Sequence, residues 1–268
     1  MSKFGDEWWS KSWSPTTGCT PVSEGCANCW ARRIATRFSK GDFAGAIFRP
    51  TFHADRLDQP LRWRKPQQVA VCLMGDLFHE AVKPEWLAQV MDICSVWRPA
   101  DDPDGDYAHR YLMLTKRPER VSPLLVAADE WAADHFRGDS PWSVQEGALP
   151  PNVALGVSCE TQRWWLERWG RLQGIPAASR FVSFEPLLGP IDTRPFYSAL
   201  LPDWAIVGCE SGPHRRPCNI EWVRCIVRQC REAGVPVWVK QLDIGGKCSR
   251  NMAEWPEDLR VRESMKWN

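Results

Sequence analysis

The chain alternates short apolar runs with stretches in which apolar residues recur at helical spacing. The runs lie at 69–74, 111–115, 153–157, 180–184, 204–208 and 235–239, with a weaker one at 14–17. They are nearly continuous in apolar residues, as expected of parallel strands covered on both faces. Between them, Leu87, Val90, Met91 and Cys94 share one helical face. Trp165, Trp169 and Leu172 share another, and Ile220, Val223, Val227 and Cys230 a third. This order predicts an α/β fold: a single partial or complete (β/α) barrel of parallel strands over 1–268. Loop insertions are expected at 99–109, which carries Asp101, Asp102, Asp104 and Asp106, and at 129–151. Residues 245–268 read as a C-terminal tail that caps the barrel.

In a parallel barrel the functional side chains project from the C-terminal ends of the strands. Here those ends carry Asp76, Lys116, Glu160, Glu185, Glu210 and Lys240, so one rim is polar. The same rim receives the stretch after the first strand, 18–29, where Cys19, Cys26 and Cys29 are spaced C-x6-C-x2-C. Gly18, Pro21 and Gly25 allow this stretch to fold back on itself. Asn28 is an expected N-cap for a helix at 30–39, whose N-terminus favours an anionic centre. Three readings of the cysteines are open: unliganded thiols, a zinc site whose fourth ligand comes from afar, or an iron–sulfur cluster with one iron left open. Cys72 and Cys94 lie on apolar faces and read as core. Cys159, Cys209 and Cys248 read as inert thiols, a fourth ligand or a reactive thiol. His79 reads equally as a satisfied core histidine or a rim residue.

Composition narrows the class. With 44% apolar and 25% charged residues among 268, the chain is that of a globular protein, and no apolar run is long enough to span a membrane. Met1 to Asp6 lack the apolar core of a signal peptide, and eleven cysteines without one predict a reducing cytoplasm. A net charge of +1 argues against a bulk polyanion binder. Residues 1–66, however, hold eleven Lys/Arg against six Asp/Glu, a local balance of +5. That balance suits a phosphate-facing surface or an ordinary solvated face. Of seventeen tryptophans, most are expected in the core and some stacked on bases or an adenine.

Seven blocks carry a resemblance. They are Trp13-Ser14-Pro15-Thr16-Thr17-Gly18-Cys19 with Gly25-Cys26-Ala27-Asn28-Cys29; Met74-Gly75-Asp76-Leu77-Phe78-His79; Thr115-Lys116-Arg117-Pro118; Leu155-Gly156-Val157-Ser158; Phe181-Val182-Ser183-Phe184-Glu185-Pro186-Leu187-Leu188-Gly189; Glu210-Ser211-Gly212-Pro213; and Val239-Lys240-Gln241. In this order, over most of 8–242, the chain resembles the phage-associated radical S-adenosylmethionine (SAM) proteins, which are distantly similar to spore photoproduct lyase. It departs from the common C-x3-C-x2-C motif in its six-residue first gap. Asn28 also stands where that motif has an aromatic residue, and Cys209 stands where relatives usually have glycine.

The resemblance implies a barrel of radical SAM type, with Cys19, Cys26 and Cys29 holding a [4Fe-4S] cluster whose open iron binds SAM. One-electron cleavage would then yield a 5′-deoxyadenosyl radical that abstracts hydrogen from substrate. It implies SAM contacts from Trp30, Gly75, Asp76, Glu160 and Glu210, and catalytic or substrate-binding roles for Lys116, Glu185 and Lys240. It implies DNA or a nucleotide base as substrate, an isomerase- or lyase-type change of a modified pyrimidine side chain, and a reductant such as flavodoxin or ferredoxin. The setting it implies is the cytoplasm of a phage-infected cell. Arg32, Arg33 and Arg37, or Arg62, Arg64 and Lys65, are candidate phosphate contacts. The competing expectations are a zinc-stabilised, non-catalytic nucleic-acid-binding module and a cluster-based redox sensor.

Overall fold

The computed structural model describes residues 7–38, 48–96, 109–136, 149–196 and 200–267. In chain order the strands are β1 (Lys11–Trp13), β2 (Thr16–Thr17), β3 (Thr51–Phe52), β4 (Gln68–Val71), β5 (Arg110–Thr115), β6 (Val153–Ser158), β7 (Ser179–Phe184), β8 (Trp204–Gly208), β9 (Val237–Ile244) and β10 (Lys247–Ser249). The helices are α1 (Trp30–Phe38), α2 (Pro84–Ser95), α3 (Val121–His135), α4 (Gln162–Trp164), α5 (Gly170–Leu172) and α6 (Ile220–Glu232); a π-helical turn, Trp165–Trp169, joins α4 to α5.

Eight strands form one curled sheet in the order β1-β4-β5-β6-β7-β8-β9-β10. Every pair from β1 to β9 is parallel, and β10 returns antiparallel on β9. β1 and β10 are the two edges, so the sheet is a half-barrel: of the two expected forms, the partial one. β2 and β3 pair separately as a small antiparallel ribbon.

The pleat divides the strand residues between two cores. Leu112, Ala154, Phe181, Ile206 and Trp238 share the inner face with Trp8, Trp204 and Met265. Tyr111, Met113, Val153, Leu155, Val182, Ala205, Val207 and Val239 share the outer face, packed with residues of α2, α3 and α6. β4, β6 and β8 are buried at every position, which is why their sequences read as unbroken apolar runs. At Gly156 the inner layer leaves no room for a Cβ, which would lie 2.5 Å from the Phe181 ring.

The tail runs along the last long strand. Beyond β10, the Val239 amide donates to Val261 O and the Glu263 amide donates to Val237 O, each at 2.9 Å. This covers the free edge of β9. Met265 and Trp267 then enter the inner core.

Several boundaries differ from the sequence reading. The first barrel strand is Lys11–Trp13, and 14–17 instead leads into the small ribbon. β4 stops at Val71 because Cys72 adopts a left-handed backbone, φ 55°, which turns the chain. β9 starts two residues later than expected and runs through Lys240 and Gln241, which sit within the strand. Residues 129–135, expected in an insertion, complete α3; 137–148 lie outside the described residues. The acidic stretch 101–106 lies outside them as well. No helix among the described residues is long and apolar enough to cross a membrane.

Phe181 is fully buried, with its ring centroid 5.8 Å from that of Trp8 and 6.3 Å from that of Trp204. Phe181→Ala should therefore cost about 3–5 kcal/mol of stability through lost burial and the cavity left behind. Urea unfolding followed by tryptophan fluorescence measures this. A loss below about 1 kcal/mol would contradict the inner-core packing.

Candidate active site

Continuing inward-facing positions to the C-terminal ends of the strands changes their chemistry. Leu112 and Leu114 lead to Lys116, Ala154 and Gly156 to Ser158, Phe181 and Ser183 to Glu185, and Trp238 to Lys240. These ends line one cavity that opens to solvent. Cys19, Cys26 and Cys29 line it too, as do Trp30, Gly75, Asp76, Glu210, Trp8 and Trp9. The topology thus gathers residues from eight separated stretches at one place.

The cysteine loop is held to the sheet at several points. The Ser23 hydroxyl donates to Glu160 Oε1 at 2.7 Å. Trp164 Nε1 donates to Glu24 Oε2 at 2.8 Å, and Arg216 Nη1 donates to Glu24 O at 2.9 Å. Asn28 Nδ2 reaches Glu210 Oε2 at 3.0 Å and His214 O at 2.7 Å. The Asn28 side chain is therefore committed to tying the loop to the end of β8. Arg33 N bonds Cys29 O at 3.1 Å, which starts α1 one residue later than an Asn28 cap would.

Glu160 is fully buried and sits behind the loop, where a Cβ on Gly25 would strike its carboxylate at 2.2 Å. Its oxygens take an ion pair with Lys116, the Ser23 hydroxyl and Arg168 Nη1, the last at 2.8 Å. The expected SAM contact is thus a buried support for the loop. Asp76 is similarly committed. Oδ1 accepts from Thr115 Oγ1 at 2.8 Å and Phe78 N at 3.0 Å, while Oδ2 accepts from Lys116 N at 3.2 Å and Arg117 Nη1 at 3.1 Å. Gly75 bridges to Gly18 in parallel register, bringing the end of β4 against the start of the cysteine loop.

Two cations reach the cysteines. Arg117 Nη1 lies 3.3 Å from Cys19 Sγ, and Lys116 Nζ lies 3.7 Å from Cys26 Sγ. Burial pushes the Cys19 thiol up to about 11, with the Asp76 charge adding to the effect and Arg117 opposing it. Burial also opposes ionisation of Cys26, but the Lys116 charge and hydrogen bonds from the Val22–Ser23 turn outweigh it and leave that thiol below its ordinary value. All three cysteines are free and partly buried. Among the described residues, no three His, Cys, Asp or Glu side chains are drawn together as a metal-binding group. The donor set nonetheless suits a soft metal or cluster, because it pairs sulfur ligands with cations that offset thiolate charge.

Across the cavity, Lys240 Nζ lies 3.4 Å from Glu185 Oε1 and 3.9 Å from Glu7 Oε2, over the Trp9 ring at 5.3 Å. These ion pairs are long, so both groups can turn toward a ligand. Glu210 is held by Arg216, whose amide donates at 2.8 Å and whose guanidinium grips both oxygens. Trp30 is partly exposed at the mouth.

His79 is buried and satisfied. Nδ1 accepts from Ala81 N at 3.0 Å, which leaves Nε2 to pair with Thr20 Oγ1 at 2.8 Å; burial, then the Arg117 charge, holds the ring below the ordinary imidazole value. Cys72, Cys94 and Cys159 are buried, whereas Cys209 borders the cavity. Of the candidate phosphate contacts, Arg33 approaches Gly212, Arg32 lies 5.9 Å from the Phe48 ring centroid, and Arg37 is exposed. Arg62 pairs with Asp58 on the surface, where Arg64 and Lys65 are also exposed.

The sequence reading assigned no role to Arg117, Arg168 or Arg216. Arg117 is 1% exposed and joins Asp76, Glu80, Thr20 and Cys19. Arg168 stacks 4.0 Å from the Trp164 ring centroid while binding Glu160. Its place between Trp165 and Trp169 was the available signal, since a basic residue within an apolar helical face needs an acidic partner.

Two predictions follow from these ties. Glu160→Gln removes the counter-charge of buried Arg168 and should cost about 3–5 kcal/mol, read by urea unfolding; a neutral result would mean the pair carries no stability. The second concerns acid. Burial opposes ionisation of Glu24 and Glu210, but hydrogen bonds from Trp164 and Thr161 to Glu24, and from Arg216 and Asn28 to Glu210, leave both carboxyls below their ordinary values. Their contribution to loop attachment is complete above the unfolded carboxylate value of about 4.3 and is lost as pH falls through the lower folded values. Labelling of Cys26 by dithiodipyridine should accelerate over that acid range, and Glu210→Gln should flatten the change. Acceleration only in step with global unfolding would show that the two carboxylates do not govern the loop.

A search of curated proteins and a search of solved structures each return no match. A family profile described as protein of unknown function (DUF5131) matches residues 5–263, and the chain belongs to that family.

Proposed function

We propose that this protein is a radical SAM enzyme acting on a nucleotide base. The observation that carries the reading is the meeting of three unpaired cysteines, two of them faced by cations, with the ends of parallel strands in one cavity. Cys19, Cys26 and Cys29 would hold a [4Fe-4S] cluster, leaving one iron for SAM. When bound, the cluster and SAM together supply reductive formation of a carbon-centred radical that takes hydrogen from substrate.

The chain's own residues bind, orient and exclude water. Lys116 and Arg117 offset thiolate charge beside Cys26 and Cys19. Asn28 and Glu210 fix the loop against β8, so a ligand at the cysteines is held in register with the cavity. Trp30 offers a ring at the mouth for an adenine, and the Gly75 backbone borders the cavity beside the loop. Lys240 and Glu185 present opposite charges on the facing wall beside Trp9, an arrangement suited to a planar heterocycle with a polar substituent. A base inside a duplex cannot enter such a cavity, so a DNA substrate would be flipped out or single-stranded. The reading includes a flavodoxin- or ferredoxin-type reductant and an isomerase- or lyase-type outcome.

Anaerobic reconstitution with iron and sulfide should give about four irons per chain. Cys19→Ala, Cys26→Ala or Cys29→Ala should each lose most of them, while Cys94→Ala should not. The reduced protein should cleave SAM to methionine and 5′-deoxyadenosine. Stoichiometric zinc with no iron would favour a binding module, and a cluster without SAM cleavage would favour a redox sensor. Incubation with modified phage DNA, followed by nucleoside analysis, tests the substrate. Charge reversal at Arg62, Arg64 and Lys65 should weaken DNA binding without removing iron if that patch tracks phosphates. Stimulation of SAM cleavage by amino acids or peptides but by no DNA would overturn the nucleic-acid part alone.

A further inference from the structure

The cations around the cavity fall into two groups. One group is spent on carboxylates. Lys116 pairs with Glu160, Arg117 with Asp76 and Glu80, Arg216 with Glu210, Arg215 with Asp243, and Lys240 with Glu185 and Glu7. The other group borders the cysteine loop. Arg32 and Arg33 lie in the first turn of α1, Arg37 is one turn beyond Arg33, and Arg49 follows the cavity-lining Phe48. Among the described residues, none of these four guanidiniums has a carboxylate partner. The local sequence explains why: residues 25–41 contain no Asp or Glu.

The unpaired group follows the rim. Arg33 packs on the loop after β8, where a side chain on Gly212 would strike its guanidinium. Glu210 and Ser211, just before that glycine, line the cavity. The Arg32 guanidinium lies 5.9 Å from the Phe48 ring centroid. Phe48 O accepts from Cys19 N at 3.0 Å, which holds 48–49 against the start of the cysteine loop. The arginines therefore trace an arc from the end of β8, over α1, to Cys19. Neighbouring guanidiniums without counter-charge repel one another, and a bound polyanion relieves that repulsion. Arginines on other faces are neutralised locally: Arg62 by Asp58, Arg163 by Glu167, Arg194 by Asp192 and Arg228 by Glu232.

We propose that this arc is the phosphodiester-binding rim of the site. The inference rests on the reading of a nucleotide base as substrate. A base inside the cavity leaves its phosphates one sugar away, at the mouth, and there the arc supplies cations that no carboxylate has claimed. Arg32, Arg33 and Arg49 take phosphates of a single strand on either side of that base, and Arg37 extends the track along α1. The surface at Arg62, Arg64 and Lys65 is the poorer candidate, because Arg62 spends its charge on Asp58 and none of the three lines the cavity.

The test is fluorescence anisotropy of the full chain with a labelled single-stranded oligothymidylate of about twelve nucleotides. Log affinity should fall with log salt with a slope of about −2 to −3, as three or four phosphate contacts require. Arg32→Gln, Arg33→Gln and Arg49→Gln together should make the slope shallower by about 2 and lower affinity at least about tenfold near 0.1 M salt. Arg62→Gln, Arg64→Gln and Lys65→Gln together should change the slope less than half as much. Circular dichroism checks that each variant is folded. Photo-cross-linking of an iodouracil-containing strand to the unsubstituted chain needs no variant, and its adducts should map to 30–33 or 48–49. A slope flatter than about −1, an equal loss from the Arg62 patch, or adducts confined to 62–65 would overturn the proposal. So would a triple variant that binds the strand normally but is reduced more slowly by flavodoxin, since the arc would then dock the reductant. Iron content and SAM cleavage without DNA are measured on the same preparation. Protein that cleaves SAM yet binds no strand overturns the rim alone, whereas salt-dependent binding at the arc by a chain that takes up no iron supports the rim and overturns the radical chemistry.

Discussion

The buried carboxylate of Glu160 is the interaction on which the candidate site depends. It takes Lys116 from the end of β5, Arg168 from the π-helical turn and Ser23 from the cysteine loop. A carboxylate with no exposure is stable only when its charge and lone pairs are met, and here they are met by three separate parts of the chain. The requirement runs both ways. Lys116 gains a fixed position near Cys26, and Gly25 must remain without a side chain for the loop to lie against β6. A single desolvated charge therefore sets where the loop sits.

Asp76 and Arg117 form the second half of this framework. Asp76 accepts four hydrogen bonds, and Arg117 passes its remaining donors to Glu80, Thr20 and Cys19. Each buried ion has neighbours that orient it, so the cations near the cysteines are held in place. Lys240 and Glu185 contrast with this arrangement. Their contact is longer and lies at the cavity surface, where a ligand can replace it. The division between saturated supports and loosely paired wall residues separates groups that build the cavity from groups free to act in it.

The half-barrel makes this separation possible. The strands are fastened by parallel pairing from β1 to β9, and the tail covers the part of β9 that β10 leaves free. The inner face is filled by tryptophan and phenylalanine at one end and left open at the other. Polar side chains at the open end therefore gain a rigid base without being surrounded by apolar groups.

The sequence by itself determined the strand–helix alternation, the parallel sheet and the rim to which the polar residues belong. Periodicity and two-sided burial impose those patterns locally, and β8 runs from Trp204 to Gly208 as its apolar run suggests. The local record also placed Cys19, Cys26 and Cys29 in one loop. Only the tertiary structure decided which rim residues face the cavity. Glu160 and Glu185 both follow strands, yet one is sealed behind Gly25 and the other lines the cavity wall. Asp76 looks available in sequence, but three of its four partners come from 39 to 41 residues away in Thr115, Lys116 and Arg117. Charge compensation, burial and cross-strand proximity belong to surroundings assembled from distant segments, and no local pattern in the chain encodes them.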